Sequence, residues 1–225
     1  MISLENLANM IDHTLLKAYV KDEDFLTLCK QADDYGFKMV AINPAAVRVC
    51  AEALKDSPVH VGAAIGFPLG QTTLECKVFE TEDAIAKGAD EIDYVINIVQ
   101  LKNKNYEYIQ EEMQKIKDIC AKNKVICKVI LETCYLTEEE IVKVCQIAKE
   151  VRPDFVKTST GFGTNGATPE HVRLMKETVG DGVAVKAAGG MRDLDSALAM
   201  VEAGATRLGT SAGITIIEEY KKRFL

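Results

Sequence analysis

The chain has 225 residues and a mass of 24.7 kDa, with 48% hydrophobic and 27% charged residues, a balance that lets a globular protein bury its core without disulfides or metals. Its 27 Lys and Arg against 34 Asp and Glu leave a net charge of −7 and a pI of about 5.1, which argues against the basic face that a nucleic-acid partner needs. No apolar run reaches the ~18 residues of a membrane span, and the first six residues lack the basic-then-apolar order of a secretory leader.

Short apolar runs alternate with amphipathic stretches along the whole chain. The first predicted strand is Ile11–Thr14, followed by a helix from Asp24 to Gly36 that places Phe25, Leu28, Cys29 and Ala32 on one face. Strands follow at Met39–Ile42 and His60–Ile65, and Thr72-Thr73-Leu74-Glu75 reads as a capping box opening the next helix. After strands Glu91–Ile96 and Val125–Leu131, a second capping box lies at Thr137-Glu138-Glu139-Glu140. Phe155–Thr158 is the sixth strand, and Thr168-Pro169 places a cap before a first-turn proline. Val183–Ala187 is the seventh, and Asp193 caps a helix that ends at Gly204. Arg207–Gly209 is the eighth, and Ile214–Lys222 is a terminal helical stretch. Strand starts about 20–34 residues apart have the pitch of βα units. Gly88-Ala89-Asp90-Glu91-Ile92 and Gly204-Ala205-Thr206-Arg207-Leu208 echo one another, each closing a helix and opening a strand. Eight strands and seven crossover helices predict an α/β fold, a single (β/α)8 TIM barrel over residues 1–225. The competitor is a doubly wound open sheet. It would carry glycine in its first turn, and Asp12-His13-Thr14-Leu15-Leu16-Lys17 has none.

Five charged residues fall inside or at the end of these strands: Asp12, Asp93, Lys128, Lys157 and Lys186. Strand side chains alternate between faces, and a lysine turned toward the apolar helix layer would strand its charge. All five are therefore expected to face the barrel interior near the C-terminal strand ends, where barrel enzymes place their chemistry. A single Lys–Asp pair would be structural, but three lysines and two aspartates at one mouth point to catalysis. Two ammonium groups ~5 Å apart repel by about 3 kcal/mol at an effective dielectric of ~20, equivalent to about two pKa units. One lysine could then be a free amine that attacks a carbonyl to form a Schiff base, with a carboxylate moving the protons. Which lysine does so is left open by spacing alone.

Glycine-bearing turns follow the last three strands: Ser159-Thr160-Gly161-Phe162-Gly163, Ala188-Gly189-Gly190-Met191-Arg192 and Gly209-Thr210-Ser211-Ala212-Gly213. They let backbone N–H groups approach an anion, and the last leads into a helix N-terminus, so a phosphorylated substrate is expected. His13, His60 and His171 have no metal-ligand spacing. The seven cysteines form no Cys-x-x-Cys pair and fit a reducing cytoplasm; the spacing of Cys120, Cys127 and Cys134 by seven is read as chance.

The run Phe155-Val156-Lys157-Thr158-Ser159-Thr160-Gly161 resembles the Schiff-base lysine motif of the deoxyribose-phosphate aldolase family. Ile11–Lys17, Ile65–Gly70, Glu91–Asp93, Lys128–Thr133, Val185–Gly190 and Arg207–Ser211 are similar to other segments of that family, in its order. The resemblance implies a class I aldolase that reversibly cleaves 2-deoxy-D-ribose 5-phosphate to D-glyceraldehyde 3-phosphate and acetaldehyde, in deoxyribose phosphate catabolism. It implies Lys157 as the Schiff-base nucleophile, Lys186 as the group that lowers its pKa and exchanges protons, and Asp93 as proton donor and acceptor. Asp12 would belong to the relay, Lys128 would support it, and Gly161, Gly189, Gly190, Gly209 and Ser211 would bind the phosphate. No metal or other cofactor is implied, and the expected partners are small phosphorylated sugars and aldehydes and further copies of the chain, in a dimer or tetramer. Three positions depart from the pattern of some members: Ala41 replaces a cysteine near the site, Ala212 replaces a serine of the phosphate turn, and the chain ends Arg223-Phe224-Leu225 without a terminal tyrosine. Another Schiff-base aldolase or a transaldolase would use the same lysines, and a barrel with purely structural lysines is the non-enzymatic alternative.

Overall fold

Eight apolar runs become eight parallel strands in a computed structural model that describes residues 2–225. They are β1 (Ile11–Leu15), β2 (Met39–Ile42), β3 (His60–Ile65), β4 (Glu91–Val95), β5 (Ile126–Ile130), β6 (Phe155–Lys157), β7 (Ala184–Ala188) and β8 (Arg207–Thr210). Each pairs with the next, and β8 returns to β1 with Ile11 beside Leu208 and Asp12 beside Gly209. The sheet is a closed barrel, which sets aside the open doubly wound alternative.

The two faces of each strand do different work. On β5, Cys127 and Val129 join the apolar layer between barrel and helices, so Lys128 between them turns inward. On β4, Ile92 and Tyr94 pack outward, and Glu91 and Asp93 turn inward. Register sets the inward groups side by side: Asp93 lies opposite Lys128, Lys157 opposite Lys186, and Lys186 also opposite Arg207.

The helices are α1 (Leu4–Ala8), α2 (Asp22–Tyr35), α3 (Val47–Ala53), α4 (Leu74–Ala86), α5 (Ile98–Lys102), α6 (Tyr106–Asn123), α7 (Glu138–Val151), α8 (Pro169–Val179), α9 (Leu194–Glu202) and α10 (Gly213–Phe224). The face expected of α2 is the buried one: Phe25, Leu28, Cys29 and Ala32. The capping box of α7 is formed, with Thr137 Oγ1 accepting from Glu140 N at 3.3 Å and Glu140 Oε2 accepting from Thr137 N at 2.8 Å. Thr168 and Asp193 cap α8 and α9 as expected. The box expected at Thr72 is not formed. Thr73 caps α4 by accepting from Cys76 N, which shifts the first turn by one residue and leaves Glu75 out of reciprocal reach. The echoing segments share a turn: Gly88 and Gly204 have φ of 107° and 109°, and Ala89 N and Ala205 N donate back to Ala84 O and Met200 O.

Two short helices, α1 and α5, are absent from the sequence reading because five residues are too few to show a period. The cysteines are free thiols, with Cys120 on α6, Cys127 on β5 and Cys134 in the turn after β5. No helix among the described residues is long and apolar enough to cross a membrane.

Candidate active site

The five charged residues singled out from the sequence meet inside the barrel. Asp93 on β4 is the hub. Its Oδ1 accepts from Lys128 Nζ at 2.5 Å, and its Oδ2 accepts from Lys157 Nζ at 2.7 Å and Lys186 Nζ at 2.6 Å. The two last ammonium nitrogens are thus at most about 5 Å apart. Lys186 also ion-pairs with Asp12 Oδ2 at 2.5 Å. All five residues are buried; Lys128 and Lys186 are fully so, while Lys157 keeps 4% exposure.

Two members of this network are not among the sequence-derived candidates. Arg207 on β8 donates from Nε to Asp12 Oδ1 at 2.9 Å and from Nη2 to Glu91 Oε2 at 2.7 Å. Glu91 Oε2 also lies 2.5 Å from Lys128 Nζ, and Glu91 Oε1 takes His60 Nδ1 at 2.6 Å. The signal was there, since Glu91 stands two residues before Asp93 and therefore on the same strand face.

Burial, the largest influence on the Lys157 amine, lowers its pKa; Asp93 opposes, Lys186 and Lys128 lower it further, and the result is about 8. The like-charge repulsion expected from spacing is present, but desolvation outranks it. Burial alone would raise the Asp93 carboxyl, yet the ammonium groups of Lys128, Lys157 and Lys186 hold it well below the usual carboxylate range. Lys128 goes the other way: burial would lower it, but Asp93, Glu91 and Asp12 raise it above an ordinary lysine. Burial thus prevails at Lys157 and the carboxylates prevail at Lys128.

Above the network lies a cavity of about 740 Å³. Lys157 lines it, whereas Lys128 and Lys186 do not. The three glycine turns supply much of the wall, and Gly161, Gly189, Gly190, Gly209 and Ser211 all line it, as do the cationic residues Lys17 and Arg192. A Cβ on Gly166 would sit 2.3 Å from Gly189 O, so glycine there lets the loop after β6 lie on the loop after β7. Thr158 Oγ1 strengthens that join, donating to Ala188 O at 3.2 Å and accepting from Ala188 N at 3.1 Å.

Glu132, another residue outside the sequence-derived set, is buried just past β5. Its carboxylate accepts from the Thr160 backbone N–H at 3.2 Å and from the Thr160 hydroxyl, fixing the first turn beside Lys157. Ala41 lines the cavity with a methyl group. Ala212 precedes α10 and donates its N–H to Thr210 Oγ1 at 2.9 Å. At the C-terminus, Arg223 pairs with Asp195 on α9 and Phe224 packs on Tyr220; neither is among the residues lining the cavity. Among the described residues, no three His, Cys, Asp or Glu side chains are grouped as a metal would require.

This geometry can be set beside known proteins. Residues 7–218 match the profile of the DeoC/LacD family aldolases. The deoxyribose-phosphate aldolase of Bacteroides thetaiotaomicron is 58% identical over 98% of this chain and 93% of its own length. That of Lactobacillus acidophilus is 57% identical over the same shares. The tetrameric deoxyribose phosphate aldolase of Aeropyrum pernix superposes with a TM-score of 0.91 at 32% identity, covering 99% of this chain and 94% of that one.

Proposed function

The chain belongs to the DeoC/LacD family of aldolases and is a carbon–carbon lyase, and on that footing we propose that it reversibly cleaves 2-deoxy-D-ribose 5-phosphate to D-glyceraldehyde 3-phosphate and acetaldehyde through a Schiff base on Lys157. The observation that carries this reading is the position of Lys157. It is the lysine of the buried network that lines the cavity, its amine is lowered to about 8, and Asp93 holds it at 2.7 Å.

The free amine adds to the C1 aldehyde of the open-chain sugar. The nitrogen's proton moves to the new alkoxide, a second proton from the Asp93–Lys186 pair lets that hydroxyl leave as water, and a protonated imine remains. The imine then draws in the C2–C3 bonding pair while the C3 hydroxyl gives up its proton, releasing glyceraldehyde 3-phosphate and leaving an enamine. Protonation at C2 and addition of water release acetaldehyde and return the amine. Asp93, bonded to Lys157 and Lys186 through one oxygen, passes protons between them. Asp12 orients Lys186 from its other side, and Lys128 neutralises the second oxygen of Asp93. The imine itself supplies the electron sink, so the proposed chemistry uses no metal or other cofactor.

The phosphate would rest on the N–H groups of the turns at Gly161, Gly189, Gly190 and Gly209, beside Ser211 and the N-terminus of α10. We place the enzyme in the cytoplasm, in deoxyribose phosphate catabolism. It would act there as a homo-oligomer, dimer or tetramer, with residues 1–225 as one catalytic barrel and no nucleic-acid or membrane partner. The net charge of −7 supports the absence of a nucleic-acid partner, and the tetrameric Aeropyrum pernix relative supports the oligomer.

The test compares kcat/KM for deoxyribose 5-phosphate, unphosphorylated deoxyribose and other sugar phosphates, with Lys157→Ala as the control. The phosphorylated deoxysugar should lead unphosphorylated deoxyribose by about 100-fold or more, as two charge-assisted hydrogen bonds would give. Activity should disappear in Lys157→Ala and survive chelator. Preference for a different sugar phosphate would assign the same lysines to another aldolase.

A further inference from the structure

The buried network holds four cationic side chains, Lys128, Lys157, Lys186 and Arg207, against three carboxylates, Asp12, Glu91 and Asp93. With every group charged, the barrel interior would carry one uncompensated positive charge. Losing one proton balances it, and burial rewards that balance because uncompensated charge is costly away from water. Lys157 is the cation with the fewest carboxylate partners. It contacts Asp93 alone, whereas Lys128 and Arg207 each touch two carboxylates, and Lys186 bridges Asp12 and Asp93.

We propose that Glu91 and Arg207, which neither line the cavity nor bond to Lys157, are positioning residues that set the charge balance making Lys157 the first member of the network to lose its proton. The inference rests on Lys157 as the Schiff-base lysine and extends it one layer down the barrel. Both residues act directly through charge and indirectly through their neighbours. Arg207 engages Asp12, which leaves Lys186 free to lean on Asp93 and so dilutes the pull of Asp93 on Lys157. Glu91 engages Lys128 and Arg207, and without it both would turn more fully to Asp93 and Asp12. The direct and relayed effects therefore carry the same sign for each residue.

The barrel strands supply the charges of this balance, while Lys17, Asp24 and Arg192 line the cavity beyond it and bond to no member of the network. β1 brings Asp12, β4 brings Glu91 and Asp93, β5 brings Lys128, β7 brings Lys186 and β8 brings Arg207. β2 brings the uncharged Met39, whose sulfur lies 3.5 Å from Lys128 Nζ. β3 brings His60, which meets Glu91 from a half-buried position and has Lys38 Nζ 3.3 Å from its Nε2. Glu132, past the end of β5, is engaged with Thr160.

The experiment is the pH dependence of single-turnover imine formation with acetaldehyde, trapped by borohydride, in the wild type and four variants. Glu91→Gln removes an anion, so the midpoint of the acid limb should move about one unit to lower pH, the size of a charge ~10 Å away at a dielectric of ~20. Arg207→Met removes a cation and should move it about one unit to higher pH. Arg207→Lys keeps the charge and should stay close to the wild type. The double variant Glu91→Gln/Arg207→Met removes one charge of each sign and should return the midpoint to within a few tenths of a unit. A purely structural role predicts lower plateaus with unmoved midpoints, and that result would overturn the proposal, as would two single-variant shifts of the same sign. If Arg207→Met does not fold, the Glu91→Gln shift and the double variant decide the matter by the same criteria. Peptide mapping of the trapped adduct keeps the two levels apart. A label on another lysine in the wild type rejects Lys157 itself, whereas a label on Lys157 with unmoved midpoints rejects only the roles of Glu91 and Arg207.

Discussion

A lysine of pKa about 8 is about one-tenth free amine at pH 7, against about one part in three thousand for an ordinary lysine. Burial is the largest source of that gain, and Lys186 and Lys128 add to it. Lys186→Met removes a cation and leaves Asp93 and Asp12 with one partner fewer, so both effects raise the Lys157 pKa. The expected shift is about one to two units, with imine formation at pH 7 slowed about tenfold per unit and recovered at alkaline pH. If Lys186 instead gave its proton directly to substrate, alkaline pH would rescue nothing and the acid limb would stay put; single-turnover rates across pH distinguish the two. The five charged residues could be read from the sequence because a charge inside an apolar strand is conspicuous. Arg207 and Glu91 escaped because each opens its strand, where a charged residue is ordinarily solvated. Glu132 escaped because its left-handed backbone conformation, φ 55°, places it in a turn that no periodic pattern describes.

The cavity wall where we place the phosphate belongs to the loops, and its charge can be changed without touching the lysines. Ser211→Asp adds a carboxylate beside the expected phosphate position, so kcat/KM for deoxyribose 5-phosphate should fall about 10- to 100-fold while unphosphorylated deoxyribose is nearly unaffected. Equal losses for both substrates would place the phosphate elsewhere. Behind the site, α4 and α6 are joined by a fully buried pair, Lys77 and Glu112, 2.5 Å apart. Lys77 Nζ also donates to Val95 O at the end of β4, and Glu112 Oε2 accepts from Asn97 N. Lys77→Met leaves Glu112 buried without its cation and should cost about 3–5 kcal/mol in urea unfolding. Lys77→Met/Glu112→Leu should regain at least half of that; a double variant as weak as the single would show that the helix pair depends on something other than charge. At this scale the strand positions were legible because short apolar runs recur at the βα pitch. Helix starts were less so. Thr72 and Thr73 offer the same chemistry one residue apart, and Thr73 is the cap.

Across the whole molecule, the charged interior ties stability to pH in opposite directions. Asp93 and Glu91 are held below ordinary carboxylates, so their contribution is complete above about pH 5 and is lost as pH falls through their folded values. Lys128 and Arg207 are held above their ordinary values, so their contribution is complete at neutral pH and is lost only as pH climbs past the lysine range. Lys157 runs against them: its buried amine costs stability below about pH 8, and that cost shrinks as pH rises toward the ordinary lysine value. Urea midpoints should therefore be nearly flat from about pH 6 to 8, rise modestly from about pH 8 to 10 as the Lys157 cost is relieved, and fall below about pH 5; midpoints that rise on acidification would contradict this balance. The closed barrel was expected from eight units of similar pitch, because a parallel strand can be followed by another only through a crossover. What spacing alone left open was which lysine meets the cavity, since register and the order of burial decide that. The most direct test of the account is borohydride trapping of the wild-type protein with acetaldehyde, followed by peptide mapping. The account predicts a single ethylated lysine, Lys157, in the segment after Phe155-Val156. A stable label on Lys128 or Lys186, or no label at all in a folded and active protein, would contradict it.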